Sequence, residues 1–410
     1  MKILHTADWH LGQTFYEYDR RAEHLHFLEW LKEQIKQHEI DVLLIAGDVF
    51  DSPNPSAESQ RMYYTFLREI TTGNPRLQII IIAGNHDSAA RLEAPNPLLE
   101  DMNITVRGVV RRDAEGNIDL QHLIVPIYTV GAEHLPPENI KKVAAYCLAV
   151  PYLRQGDYPP SENYSQGVRA LYQLLFNSVK DTNLPIIAMG HLQATGSEIS
   201  EDDRLERTVI GGLECVSPDA FDEAIAYTAL GHLHRSQRVS HRDNVRYSGT
   251  PIPMSFAEKN NTSGVVLITL ENGGTSIERL EFQPLTTLLS IPRQAQPLED
   301  VLQAISELPD GELTPQTPYL EIKILMTQPE PSYKYKVEEA LKGKAVRLAR
   351  IASVLPLRKA SGIAATSYEE LQTIRPLDMA LDVFKRKYGG TEMPDTMKSL
   401  LETVIKEVGV

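Results

Sequence analysis

Five apolar runs in this chain end in the same abrupt way, and that repeated ending constrains the fold more than any other feature. They are "KILHTADWH", "DVLLIAGD", "QIIIIAGNHD", "PIIAMGH" and "YTALGHLH". A strand apolar at nearly every residue must be covered on both faces, which is the habit of parallel sheets in α/β proteins. Between the first three runs lie two segments with apolar residues at helical spacing. One carries Leu25, Leu28, Leu31 and Ile35, the other Met62, Tyr63, Phe66, Leu67 and Ile70. Strand, helix, strand, helix, strand predicts an α/β fold built on a parallel sheet. "VRYSGTP" and "SGVVLITLENGG" add two later strands.

The residues at the end of each run are polar and chemically coherent: Asp8 and His10; Asp48; Asn85, His86 and Asp87; His191; His232 and His234. Open α/β sheets bind ligands at the carboxyl ends of their strands, so these side chains are expected on one rim. Gly47, Gly84, Gly190 and Gly231 precede them and permit close backbone approach. Carboxylate, amide and imidazole donors without a thiolate suit Mn²⁺, Mg²⁺, Fe²⁺ or Zn²⁺ at five or six coordination. Seven ligands (Asp8, His10, Asp48, Asn85, His191, His232, His234) exceed the need of one ion and suffice for two that share a carboxylate, the arrangement of two-metal phosphatases and nucleases. His86, next to a ligand, is placed to protonate a leaving alkoxide or to stabilise charge on phosphorus, with Asp87 orienting its ring. Asp51 and His5 read as turn chemistry and a core histidine.

After Phe282 the pattern changes. "LLSIPRQ", "PLEDVLQAISELPDG", "PYLEIKILMT", "SYKYKVEEALKGK" and "AVRLARIASVL" predict strand, helix, strand, helix, strand in a small α+β domain. A second boundary falls near "LRKASGIAAT". Beyond it Ser367 and Glu370 form a capping box, Pro376 restarts a helix carrying Leu377, Leu381, Phe384 and Tyr388, and a last helix aligns Met397, Leu400, Leu401, Val404, Ile405 and Val408 on one seam. Such a seam docks on its own body or on another helix. The expected domains are therefore 1–282, 283–356 and 357–410. No apolar run approaches the roughly 20 residues of a membrane span, and Met1 to His10 runs into a strand without a leader-like apolar segment. Two cysteines without a CxxC fit a reduced compartment, so the expected address is cytoplasmic. The net charge of −14 ordinarily disfavours a nucleic-acid partner, but two divalent cations among carboxylates reverse part of that field. "RSQRVSHRDNVR", holding Arg235, Arg238, Arg242 and Arg246, directly follows the GHLH histidines and is a candidate phosphate-backbone contact.

With D-x-H, G-D, G-N-H-D, G-H and G-H-x-H in order, the sequence resembles the metallophosphoesterase superfamily, the calcineurin-like phosphoesterases. "ILHTADWHLGQ", "IAGDVFDS", "ALGHLHRSQ" and "RYSGTPIPMSF" resemble its SbcD branch, nuclease subunits of bacterial SbcC–SbcD complexes. The resemblance implies a four-layer β-sandwich flanked by helices, a small capping domain that helps hold DNA, and C-terminal helices that dock on an SbcC-type SMC-like ATPase. It implies that Asp8, His10, Asp48 and His234 hold one metal and Asp48, Asn85, His191 and His232 the other, with Mn²⁺ the usual ion and Mg²⁺ an alternative. His86 becomes the catalytic histidine that is not a ligand. The implied activity is 3′ to 5′ exonuclease on duplex ends and single-strand endonuclease. A homodimer is implied through helices near 56–70 and 89–102, with Tyr63, Phe66, Leu67, Leu92, Leu98 and Leu99 either at the interface or in the core of the protomer. Two other functions compete: a phosphoesterase for small phosphodiesters or phosphoproteins, which shares every ligand but has no evident need of the C-terminal third, and a dimeric scaffold for an ATPase, against which the complete ligand set and His86 argue.

Overall fold

The computed structural model describes residues 1–130, 141–197, 215–271, 274–326, 330–354, 376–387 and, except 396 and 400, 392–401. The isoleucine run shows how the sequence builds the layers. Ile79 to Ile82 form β5 (Gln78–Ile82), and all four are fully buried. Side chains alternate across a strand, so Ile79 and Ile81 pack beneath helices while Ile80 and Ile82 pack against a second sheet. Val42, Leu44 and Leu43, Ile45 of β4 (Val42–Ala46) divide in the same way. Each such side chain contributes roughly 1.5–3 kcal/mol through burial. The expected parallel sheet is covered on both faces, but by helices on one side and a sheet on the other.

The first sheet runs β14 (Gly274–Glu281), β13 (Gly264–Glu271), β1 (Lys2–Thr6), β4, β5 and β6 (Ile104–Arg107), parallel from β1 to β6 and antiparallel at β13 and β14. The second runs β11 (Gln237–Val239), β12 (Arg242–Tyr247), β10 (Tyr227–Gly231), β9 (Ile186–His191), β8 (Lys141–Ala149) and β7 (Ile124–Val130). Helices α1 (Arg21–Gln37) and α2 (Ala57–Gly73) cover the outer face of the first sheet. Ser56 caps α2 by accepting the Ser59 N–H. The region expected as one helix over 89–102 breaks into α3 (Ala89–Glu93), α4 (Asn96–Leu99) and a 3₁₀ turn, because Pro95 and Pro97 cannot donate to a continuous ladder. After α5 (Leu120–Leu123), helix α6 (Tyr164–Val179) covers the second sheet with Val168, Leu171, Tyr172 and Leu175. The order of layers is helix, sheet, sheet, helix.

Of the six apolar residues considered for a dimer face, Tyr63, Phe66, Leu67, Leu92 and Leu99 are buried in the protomer's own core, and Leu98 alone is exposed, at 76%. Strand, helix, strand, helix, strand over 283–356 is found as β15 (Leu288–Gln296), helix Leu298–Ser306, β16 (Tyr319–Leu325), helix Tyr333–Ala340 and β17 (Arg347–Val354), with β16 central in a three-stranded sheet. Residues 1–324 and 331–352 nevertheless form one compact unit. The reason lies in a short hairpin, β2 (Thr14–Phe15) with β3 (Tyr18–Asp19), that leaves the first motif and meets the small sheet. Phe15, Phe256 and Tyr319 share a buried cluster there. Tyr319 donates its hydroxyl to Glu23 at 2.8 Å, Tyr18 donates to the Leu348 carbonyl at 3.1 Å, and Arg350 donates to Tyr16 at 3.1 Å. Glu23 in turn holds the fully buried Arg20 through two bonds of 3.1 and 2.7 Å.

The second unit, 325–330 with 353–410, contains the expected helix Pro376–Lys387, in which Val383 is exposed. The capping box at Ser367 and Glu370, and Leu400, Val404, Ile405 and Val408 of the terminal seam, lie outside the described residues. Among the described residues no helix is long and apolar enough to cross a membrane.

Candidate metal centre

The rim is built by backbone before any side chain acts. Beyond the ends of β1 and β4 the two loops stay paired, with the Asp8 N–H on Gly47 O at 3.0 Å, His10 N–H on Asp48 O at 3.0 Å and Leu11 N–H on Val49 O at 2.9 Å. Trp9 turns the other way into the core, edge-on to Phe27 and Phe66, with its indole N–H on Thr6 Oγ1 at 2.8 Å. The residues on either side of it therefore both face the rim. Asp8, His10, Asp48 and His232 have φ of 54°, 46°, 49° and 99°. Left-handed backbone at non-glycine residues costs on the order of 1 kcal/mol or more each and marks sites where function holds the geometry. Gly84 and Gly231 are required for a different reason: a Cβ on Gly84 would strike Asp48, and one on Gly231 would strike the Ala46 carbonyl.

Asp48 is central. Its Oδ2 lies 3.2 Å from His191 Nε2 and 3.7 Å from His10 Nε2, and its Oδ1 accepts the His86 N–H at 2.9 Å. On one side Asp8, His10 and His234 gather their donor atoms within 4.8 Å, and on the other Asp8, Asp48 and His191 do the same. Asn85 Oδ1 completes the second group, 3.0 Å from both His191 Nε2 and His232 Nδ1. All seven expected ligands thus converge. The His232 N–H fixes Asp8 through Oδ1 at 2.9 Å. Asp8 Oδ2 and His10 Nε2 are buried without a hydrogen-bond partner, a costly condition for polar atoms unless something else satisfies them. Hard oxygen and imidazole donors with orphaned atoms aimed at one another fit divalent cations.

The electrostatics agree. Burial pushes Asp8 up, whereas Asp48 is held well below the usual carboxylate range, against burial, by the charge of His191. His191 rises to about 9, against burial, through Asp48 and Asp8. Burial lowers His232 to about 3. His232 is thus held neutral, as a ligand must be, whereas His191 would have to give up its second proton to hold an ion.

Asp87 is not the orienter of His86. Its two oxygens accept three backbone N–H groups, from Gly84 (2.9 Å), Val49 (3.2 Å) and Phe50 (3.0 Å), so it locks the second and third loops together. The His86 ring meets the Asp51 carbonyl through Nδ1 at 3.0 Å. Asp51, read from sequence as turn chemistry, also sets Oδ1 3.4 Å from His10 Nδ1. Its position three residues after Asp48 was the only available signal. Glu258, fully buried and 2.9 Å from His234 Nδ1, had none. His5 is the core histidine expected, with Nδ1 2.9 Å from the Tyr227 hydroxyl. The arginine run does not form a free cationic stripe. Arg242 donates to the Pro218 and Phe221 carbonyls, Arg238 to Asp243 and Arg246 to the Asp243 carbonyl.

A family model described as calcineurin-like phosphoesterase matches residues 1–236, and one described as type 5 capsule protein repressor C-terminal domain matches 282–389. The SbcD subunit of nuclease SbcCD from Rhodobacter capsulatus is 37% identical over 370 residues, covering 87% of this chain and 88% of that one. The protein of the same name from Escherichia coli K12 is 33% identical over 339 residues, 77% and 78% of the two chains. That from Bacillus subtilis is 31% identical over 279 residues, 67% of each.

Proposed function

The chain belongs to the calcineurin-like phosphoesterases and, within them, to the SbcD family of nuclease subunits, and from that premise we propose a two-metal DNA nuclease that works with an SbcC-type ATPase. The observation that carries the two-metal reading is Asp48, set between two donor groups and within 3.7 Å of a histidine from each. In this reading Asp8, His10, Asp48 and His234 hold one ion, and Asp48, Asn85, His191 and His232 hold the other. Mn²⁺ is the proposed ion, with Mg²⁺ the alternative. When bound, such a pair supplies Lewis-acid stabilisation of the phosphodiester and activation of the attacking water.

The chain's own residues do the rest. His86 Nδ1–H donates to the Asp51 carbonyl, which fixes the ring and leaves Nε2 for the leaving oxygen; as the imidazolium, with both nitrogens protonated, the ring gives its Nε2 proton there and returns to the neutral Nδ1–H form. Asp87 holds the loops that carry Asp48 and His86 in register. The small sheet, joined to α1 through Tyr319 and Glu23, serves as the capping domain over the DNA. The proposed cleavages are 3′ to 5′ from duplex ends and endonucleolytic in single strands. The helix Pro376–Lys387 and the segment after it form the ATPase dock, supported by the exposed Val383. A homodimer through the broken 89–102 region would use the exposed Leu98.

The test is cleavage of an end-labelled DNA duplex and of a nitrophenyl phosphodiester with Mn²⁺, with and without the ATPase, by wild type and Asp48→Ala. We expect DNA degradation that the variant loses by more than about a thousandfold. Small-ester turnover with DNA intact even in the presence of the ATPase would sink the nuclease reading.

A further inference from the structure

We infer that Glu258 is a positioning residue of the metal centre, fixing which nitrogen of His234 is offered to an ion; the inference rests on the two-metal reading and deepens it. Glu258 ends the 3₁₀ turn Phe256–Glu258, two residues after the "YSGTPIPMSF" segment, and is 1% exposed. Its Oε1 lies 2.9 Å from His234 Nδ1, and its Oε2 accepts the Met254 N–H at 2.8 Å. Among the described residues no Lys or Arg pairs with it. A carboxylate this deep is tolerated only where its oxygens are hydrogen-bonded, and here its partners are one amide and one metal-ligand candidate.

The chemistry follows from the inventory of donors. An ionised carboxylate only accepts, so Nδ1 of His234 must carry the proton, and a neutral imidazole carries just one. Nε2 is then left with its lone pair, in the ring that shares a donor cluster with Asp8 and His10. Carboxylates placed behind a ligating histidine also raise its basicity. The neighbouring ring, His10, lies at a centroid distance of 5.2 Å and is held more loosely, with the Asp51 carboxylate 3.4 Å from its Nδ1. The turn that carries Glu258 is itself anchored from the far side, where the next residue, Lys259, donates to Ser290 of β15 at 2.9 Å.

The experiment reads metal binding without DNA or turnover, by following free Mn²⁺ in an EPR titration of the full chain. Wild type is expected to bind two ions. Glu258→Met, which removes the acceptor at similar volume, should weaken one ion by about 10–100-fold and spare the other. Glu258→Gln, which keeps an acceptor without the charge, should recover most of that loss. Imidazole ¹⁵N resonances of wild type, assigned by difference from His234→Asn, should report an Nδ1–H tautomer for His234 whether or not the variants fold well. Two ions bound as tightly by Glu258→Met as by wild type, equal weakening of both, or an Nε2–H tautomer would each overturn the assignment. A wild type that binds fewer than two ions, with His10→Ala no different, would instead overturn the two-metal reading and this inference with it.

Discussion

At the rim of the sandwich, Asp8, His10 and Asp48 are set by backbone bonds running from loop to loop, whereas the small sheet is tied to that rim through side chains, Tyr319 to Glu23, Tyr18 to Leu348 and Arg350 to Tyr16. The difference separates two kinds of dependence. A rim whose main chain carries the geometry keeps its shape when one functional side chain is lost, so such losses fall on chemistry. A junction made of side chains loses both stability and alignment when one of them changes. The two regions meet in the hairpin of β2 and β3, a few residues after His10.

The largest effect that would test the contrast is His86→Ser. Turnover of DNA and of a small phosphodiester should both fall by about 10²–10⁴-fold, while the unfolding temperature and Mn²⁺ binding stay at wild-type values. A drop confined to DNA would move His86 from the chemistry to substrate handling.

Next comes Glu23→Gln, which breaks the buried pair with Arg20, two side chains at 1% and 3% exposure separated by 2.7 Å. Removing one partner of a buried pair typically costs about 3 kcal/mol, measurable as a shift of the denaturant midpoint. Turnover of DNA should suffer more than turnover of the small ester, since the rim itself is untouched. Equal losses on both substrates would show that rim and junction are not separable.

The smallest effect lies beneath the rim, where His5 of β1 meets Tyr227 of β10. Burial lowers His5 to about 3 from an ordinary 6.5. The unfolded chain therefore takes up this proton first as the pH falls. The stability due to a neutral His5 is complete above about 6.5 and is lost progressively between 6.5 and 3. The unfolding temperature should decline over that window, and His5→Gln should make the decline shallower. An unchanged slope would assign the acid sensitivity elsewhere, for instance to His24, which burial also lowers to about 3.

The convergence of the seven expected donors was legible because each sits at the end of an apolar strand, a local pattern that fixes both position and direction. The βαβαβ order of the small sheet was legible for the same reason. Asp87 shows the limit: its residue type suited a catalytic partner, but its two oxygens are taken by three loop amides. Asp51 and Glu258 were missed because their partners, His10 and His234, are reached only after the loops have folded. The bonds of the arginine run were hidden in the same way, since the Pro218 and Phe221 carbonyls that meet Arg242 lie more than 20 residues away. The second sheet's edge pair, β7 and β8, carries no rim motif, which hid it.

The burial of Trp9 between Phe27 and Phe66 has an optical consequence. The chain has two tryptophans; one stands between Asp8 and His10, and the other, Trp30, rests on Phe282 where the sandwich gives way to the small sheet. With Trp30 replaced by Phe, ultraviolet emission comes from a single indole flanked in sequence by two proposed ligands. The protein then carries its own fluorophore at the rim, and loading of the site can be followed without a label or a substrate.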